Sequence, residues 1–142
     1  FTKVVRTVRT EPTPQTIGQH LRAVRQKRGL LQRELARELG VTDSTVVHWE
    51  RGTTAPLPKD GPGIVAFLGY LPLPMATLGE KLYAVRFANG WTQAEAGAAC
   101  GVSEDGWRAW EGGATPMPAK LSLLSDLIER TKLFSLRTND QT

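Results

Sequence analysis

The chain has 142 residues, 40% of them hydrophobic and 23% charged, with a formal net charge of +4, a balance that fits one globular domain or two small ones and excludes a disordered or fibrous chain. No apolar run approaches the ~18 residues needed to cross a membrane, the first residues carry no apolar signal core, and the single Cys100 excludes an internal disulfide and suits a reducing compartment. The charge is uneven: residues 1–70 hold 11 Lys/Arg against 6 Asp/Glu and residues 71–142 hold 7 against 8, so only the first half attracts a polyanion at long range.

Because the sequence opens on Phe1, it reads as part of a longer chain. Residues 1–15 mix β-branched and basic residues, and Pro12 and Pro14 forbid a helix there. This segment is either a basic arm that places Lys3, Arg6 and Arg9 on nucleic-acid phosphates, or a solvated tail or a strand pairing with a partner chain. Thr16 is a good N-cap for a first helix whose apolar stripe is Ile17, Leu21 and Val24, with Gly29 ending it. A second helix is expected from Gln32 to Leu39, burying Leu35, Ala36 and Leu39. Gly40 permits a sharp turn with positive φ, and Thr42 caps a third helix whose inner face is Val46 and Trp49. A proline-bounded loop then leads to a short apolar helix at Ile64–Leu68.

Two prolines one residue apart make the connector, residues 69–76, stiff and extended, so that six residues span roughly 20 Å. Its Tyr70, Leu71 and Leu73 are apolar for a linker and suit packing between the flanking segments. The plan then repeats at an offset of 61: Thr16 meets Thr77, Ala23-Val24-Arg25 meets Ala84-Val85-Arg86, and Gly40-Val41-Thr42 meets Gly101-Val102-Ser103. Trp49-Glu50 likewise meets Trp110-Glu111. So many matches without an internal gap mark a duplicated module. In the second copy Thr77, Thr92 and Ser103 are the expected caps, with Thr92 and Glu95 forming a capping box. Leu78, Leu82, Val85, Trp107 and Trp110 are expected inside. A last helix from Pro118 to about Leu133 carries a wide apolar stripe, Leu121, Leu124, Leu127, Ile128 and Leu133, suited to core closure, a dimer seam, or both. Cys100 aligns with Leu39 and reads as a packed apolar thiol. The expected organisation is an arm over 1–15, a first unit over 16–70, a Pro-rich linker over 71–76, a second unit over 77–133 and a tail over 134–142.

The stretch GLLQRELARELGVTDSTVVHWERG resembles the Cro/phage-repressor, or Xre-like, helix-turn-helix family, and the second copy repeats its Gln…Gly-Val-(Ser/Thr)…Trp-Glu-x-Gly pattern. The resemblance implies an all-α fold of two tandem lambda-repressor-like bundles, four to five short helices each. It implies sequence-specific binding of double-stranded DNA by a cytoplasmic transcriptional regulator, a repressor of bacterial or phage origin, with the third helix in the major groove. It places base-reading side chains at Asp43, Ser44, Thr45 and His48, and a phosphate contact at Gln32. Arg33, Arg51, Thr53 and Thr54 are further phosphate candidates, and Gln93 and Arg108 are possible DNA contacts in the second copy. It also implies structural ion pairs Arg25–Glu50 and Arg86–Glu111.

The sequence departs from that pattern in three places, one of them Asp43, a carboxylate on the reading face that phosphates repel but that accepts from cytosine N4. Leu31 stands where Thr92 caps, so the first unit lacks that side-chain cap. The second unit reads Glu104, Asp105, Gly106 and Ala109 where base contacts are expected, which points to the first unit as the main reader and to the second as a weak binder or as a dimerisation or partner surface. The competing function is a protein-interaction or antitoxin-like adaptor. An enzyme is not expected: His20 and His48 lie in no metal or nucleophile motif, His20 reads as a plain surface residue, and no cofactor or phosphate-cradling loop is indicated.

Overall fold

A computed structural model of the protein describes residues 13–132. Lys3, Arg6, Arg9, Leu133 and the tail over 134–142 lie outside the described residues. Among the described residues the structure is all-helical, with α1 at Ile17–Lys27, α2 at Gln32–Leu39, α3 at Asp43–Arg51, a 3-10 turn at Pro58–Asp60 and α4 at Gly61–Leu68. These are followed by α5 at Leu78–Asn89, α6 at Gln93–Ala99, α7 at Glu104–Glu111 and α8 at Pro118–Thr131.

Local chemistry sets the helix ends. The Thr16 hydroxyl accepts from Gln19 N at 3.1 Å while Gln19 Oε1 accepts from the Thr16 N–H, a reciprocal cap that satisfies two orphan donors. Thr77 with Glu80, and Thr92 with Glu95, make the same box. Thr42 and Ser103 cap α3 and α7 by accepting from Thr45 N and Gly106 N. At Leu31 only half the box exists: its N–H donates to Glu34 Oε1 at 2.7 Å, and its side chain offers no acceptor. Between α2 and α3 the chain reverses at Gly40, whose φ of 73° is open to glycine at no steric cost.

In the first unit α3 packs on α1 and α2, and α4 closes the base. Leu21, Leu35, Ala36, Val46, Trp49 and Ile64 are buried there. The second unit packs α7 on α5 and α6, with α8 against α5, but it fills the space differently. Leu35, Ala36 and Val46 become Ala96, Gly97 and Trp107, so smaller residues on α6 make room for a large one on α7. Trp107 is fully buried. Trp110, expected inside, is only half-buried, because the volume that Trp49 fills in the first unit has been taken by Trp107. On α8, Leu124, Leu127 and Ile128 face the core while Leu121 and Leu123 remain exposed on either side of that stripe.

The two units share one continuous apolar cluster. The 3-10 turn and α4 lie against α5, and the approach is so close that a Cβ on Gly61 would overlap the Phe87 carbonyl. Leu71 and Met75 of the connector are buried. His20, expected as a plain surface residue, is half-buried with Nδ1 2.8 Å from the Tyr70 hydroxyl. Burial pushes its imidazole pKa below the usual range. No described helix is long and apolar enough to cross a membrane.

Candidate nucleic-acid interface

The scaffold under α3 is a buried ion pair. Arg25 Nε donates to Glu50 Oε2 at 2.7 Å and Nη2 to Glu50 Oε1 at 2.9 Å, a two-pronged contact, while Nη1 donates to the Leu30 carbonyl. Gln32 Nε2 adds a third bond to Glu50 at 3.0 Å. This network ties the end of α3 to α1 and to the first residue of α2. The second unit repeats it: Arg86 to Glu111 at 2.6 and 3.1 Å, Arg86 to the Trp91 carbonyl, and Gln93 to Glu111 at 3.1 Å. The indole N–H of Trp107 joins as a further donor to Glu111 at 2.6 Å. Burial alone would push the Glu111 carboxyl up, but the bonds from Arg86, Trp107 and Gln93 outweigh it and hold its pKa below the usual carboxylate range.

With Val46 and Trp49 turned inward, α3 leaves Asp43, Ser44 and His48 exposed and Val47 half-exposed. Thr45 is half-buried, and its hydroxyl lies 2.8 Å from that of Thr42, so the side chain expected on the reading surface is engaged in the cap. His48 Nδ1 lies 3.0 Å from Thr53 Oγ1, and that same hydroxyl donates to the His48 carbonyl at 3.2 Å. A hydroxyl has one proton to give. With that proton on the carbonyl the ring donates from Nδ1 and Nε2 is an acceptor, and with it on Nδ1 the ring carries its proton at Nε2, so the donor and acceptor roles of neutral His48 follow its tautomer.

Around this helix, Arg33, Arg51, Thr53 and Thr54 are exposed. A groove beside the start of α2 is lined by Arg22, Arg25, Leu31, Gln32, Glu50 and Arg51. Leu31 supplies no side-chain acceptor, and the Glu34 N–H bonds the Leu31 carbonyl at 3.0 Å instead, which leaves the N–H groups of Gln32 and Arg33 to solvent or to an anion. Arg22 carries no motif signal of its own; its one trace in the sequence is the contrast with Tyr83 at the same repeat position. Arg22, Arg33, Arg37 and Arg51 make no ion pair among the described residues.

The corresponding surface of the second unit is closed on itself. Arg108 donates to Glu104 Oε2 at 2.9 Å, to Asp105 Oδ1 at 2.7 Å and to Gln93 Oε1 at 3.2 Å. Cys100 is half-buried, its thiol donates to the Ala96 carbonyl, and burial pushes its pKa up. Among the described residues no three His, Cys, Asp or Glu side chains come together as a metal-holding group.

No curated protein and no solved structure matches the chain. One family comparison does, and it falls on the surface just described: residues 21–73, from α1 to the connector, match the helix-turn-helix family model HTH_3, while the second unit lies outside that match.

Proposed function

We propose that the protein is a sequence-specific double-stranded DNA-binding transcriptional regulator that reads the major groove with α3. The observation that carries this reading is an exposed, capped α3 flank in a unit whose Arg22, Arg33, Arg37 and Arg51 are exposed and make no ion pair among the described residues, two of them lining the groove beside the start of α2. A groove about 12 Å wide admits one helix and presents a distinct donor and acceptor pattern for each base pair. In this reading Asp43, Ser44 and His48 meet base edges, and Val47 suits a thymine methyl. His48 Nε2 meets a base-edge donor or acceptor according to its tautomer, and Asp43 accepts from a cytosine amine. Gln32, Arg33, Arg51, Thr53 and Thr54, joined by Arg22, hold the phosphates that set register and affinity. A cytoplasmic repressor acting by occupancy of its site is the role we assign. Two geometries follow: one chain on a single site, or a homodimer on a palindrome with half-sites about 34–36 Å apart.

A second reading, an adaptor that binds a partner protein through the second unit, draws on exposed Met117 and Leu123 and on a groove where exposed Leu121 meets the half-buried Trp110. Selection of bound duplexes from a random pool separates the two. Enrichment of one motif whose preference relaxes at a single base pair in His48→Ala supports the DNA reading. A pool that stays random, together with a stoichiometric protein partner in pull-down, supports the adaptor.

A further inference from the structure

We infer that the second unit is barred from DNA, so that each chain carries one reading helix and engages one major-groove segment; this rests on the DNA-binding reading of α3 given above. The two units share a backbone plan, which makes their surfaces comparable position by position. At the places of Arg22, Arg33, Arg37 and Arg51 the second unit has Tyr83, Ala94, Ala98 and Gly112. Each of the four unpaired cations around α3 is therefore replaced by a neutral residue around α7. His48 becomes Ala109, which offers no side-chain hydrogen bond to a base.

What charge remains points the wrong way. Glu104 stands where the first unit has Asp43, and Asp105, 91% exposed, adds a second carboxylate in place of Ser44 where a phosphate chain would approach. The remaining cation, Arg108, has its guanidinium turned onto those two carboxylates and onto Gln93. Gln93 is held at both ends, donating to Glu111 and accepting from Arg108; in the first unit Val47 stands at the position of Arg108 and makes no such bond. Each exposed pair is weak alone. Together they place two acceptors on the guanidinium where a phosphate would otherwise bind, and the local charge stays negative after they form. The Arg–Glu scaffold and the caps persist, so the second unit keeps its fold while its surface has lost the four unpaired arginines and the histidine of the first.

The test uses the full chain and the duplex it selects from a random pool, with affinity followed from about 50 to about 200 mM salt, where each phosphate contact contributes about 0.9 to the slope of log K against log salt. The Arg33→Ala/Arg51→Ala double variant should flatten that slope by about two. Arg108→Ala should leave both slope and affinity as in the wild type, to within about twofold, and a duplex with one half-site should bind one chain as tightly as a duplex with two adjacent ones. An Arg108→Ala chain that flattens the slope by about one, or a single chain that requires two adjacent half-sites, overturns this inference and leaves the α3 reading standing. A wild-type chain that selects no duplex overturns the proposed function and this inference with it.

Discussion

Glu50 and Glu111 occupy the same repeat position; Glu50 gathers donors from Arg25 and Gln32, and Glu111 from Arg86, Gln93 and Trp107. Glu50 is 4% exposed and its partner Arg25 12%. Removing the arginine therefore strands a carboxylate in an apolar setting, which costs more than the pair itself contributes. Arg25→Ala is expected to destabilise the protein by about 3–5 kcal/mol in a denaturant melt; a loss under about 1 kcal/mol would show that water reaches Glu50 freely. At Glu111 the same logic gives a pH dependence. Its carboxyl is held below the ordinary glutamate value of about 4.3, so the unfolded chain takes up the proton first. The stability it contributes is complete above about pH 4.3 and is lost as pH falls through the folded pKa. Melts between about pH 6 and 3 should show that loss in the wild type and a shallower one in Glu111→Gln. The two acids nevertheless differ in donor count, because Trp107 adds an indole to one network and Val46 adds nothing to the other.

For the helices, legibility in the sequence followed the range of the interaction. Caps are local: Thr16, Thr42, Thr77, Thr92 and Ser103 each begin a helix where a short hydroxyl precedes an apolar period, and the missing cap at Leu31 was equally plain. The Thr42 cap matters most for the proposed activity, since it starts the helix that carries Asp43 and His48. Thr42→Ala should cost about 1 kcal/mol, and it also frees the Thr45 hydroxyl that now faces it; thermal melts of the two proteins measure the difference. Side-chain partition across helices was less legible. Trp107 and Trp110 lie three residues apart, so both fit one helical face, and periodicity cannot say that the smaller Ala96 and Gly97 draw the first inward and leave the second at the surface. The placement of Thr45 was illegible for a related reason: a threonine in the first turn serves the cap or the solvent, and the sequence does not choose. Arg108 was visible as a cation, but its capture by Glu104, Asp105 and Gln93 depends on three side-chain geometries at once.

Across the whole molecule, the connector hinted at contact between the units through Tyr70, Leu71 and Leu73, but nothing in the sequence marked Gly61 or Phe87 as the place where they meet. That junction joins backbone to backbone, and glycine leaves no apolar signature. Its consequence is mechanical coupling: α4, the 3-10 turn and α5 carry the shared cluster, so the units should unfold together in one transition seen alike by circular dichroism and tryptophan fluorescence. Gly61→Ala forces the Phe87 carbonyl away and is expected to lower stability by about 1–3 kcal/mol while keeping a single transition. Two separated transitions in the wild type would show that the contact does not couple them. The chain's two methionines offer a clock for the same junction. Met117 is 74% exposed and Met75 only 6%, so peroxide should convert the first thioether to its sulfoxide at the rate of a free residue. The second must wait for an opening of the shared cluster that uncovers it, and the lag between the two oxidations, read by mass spectrometry, measures how often that happens.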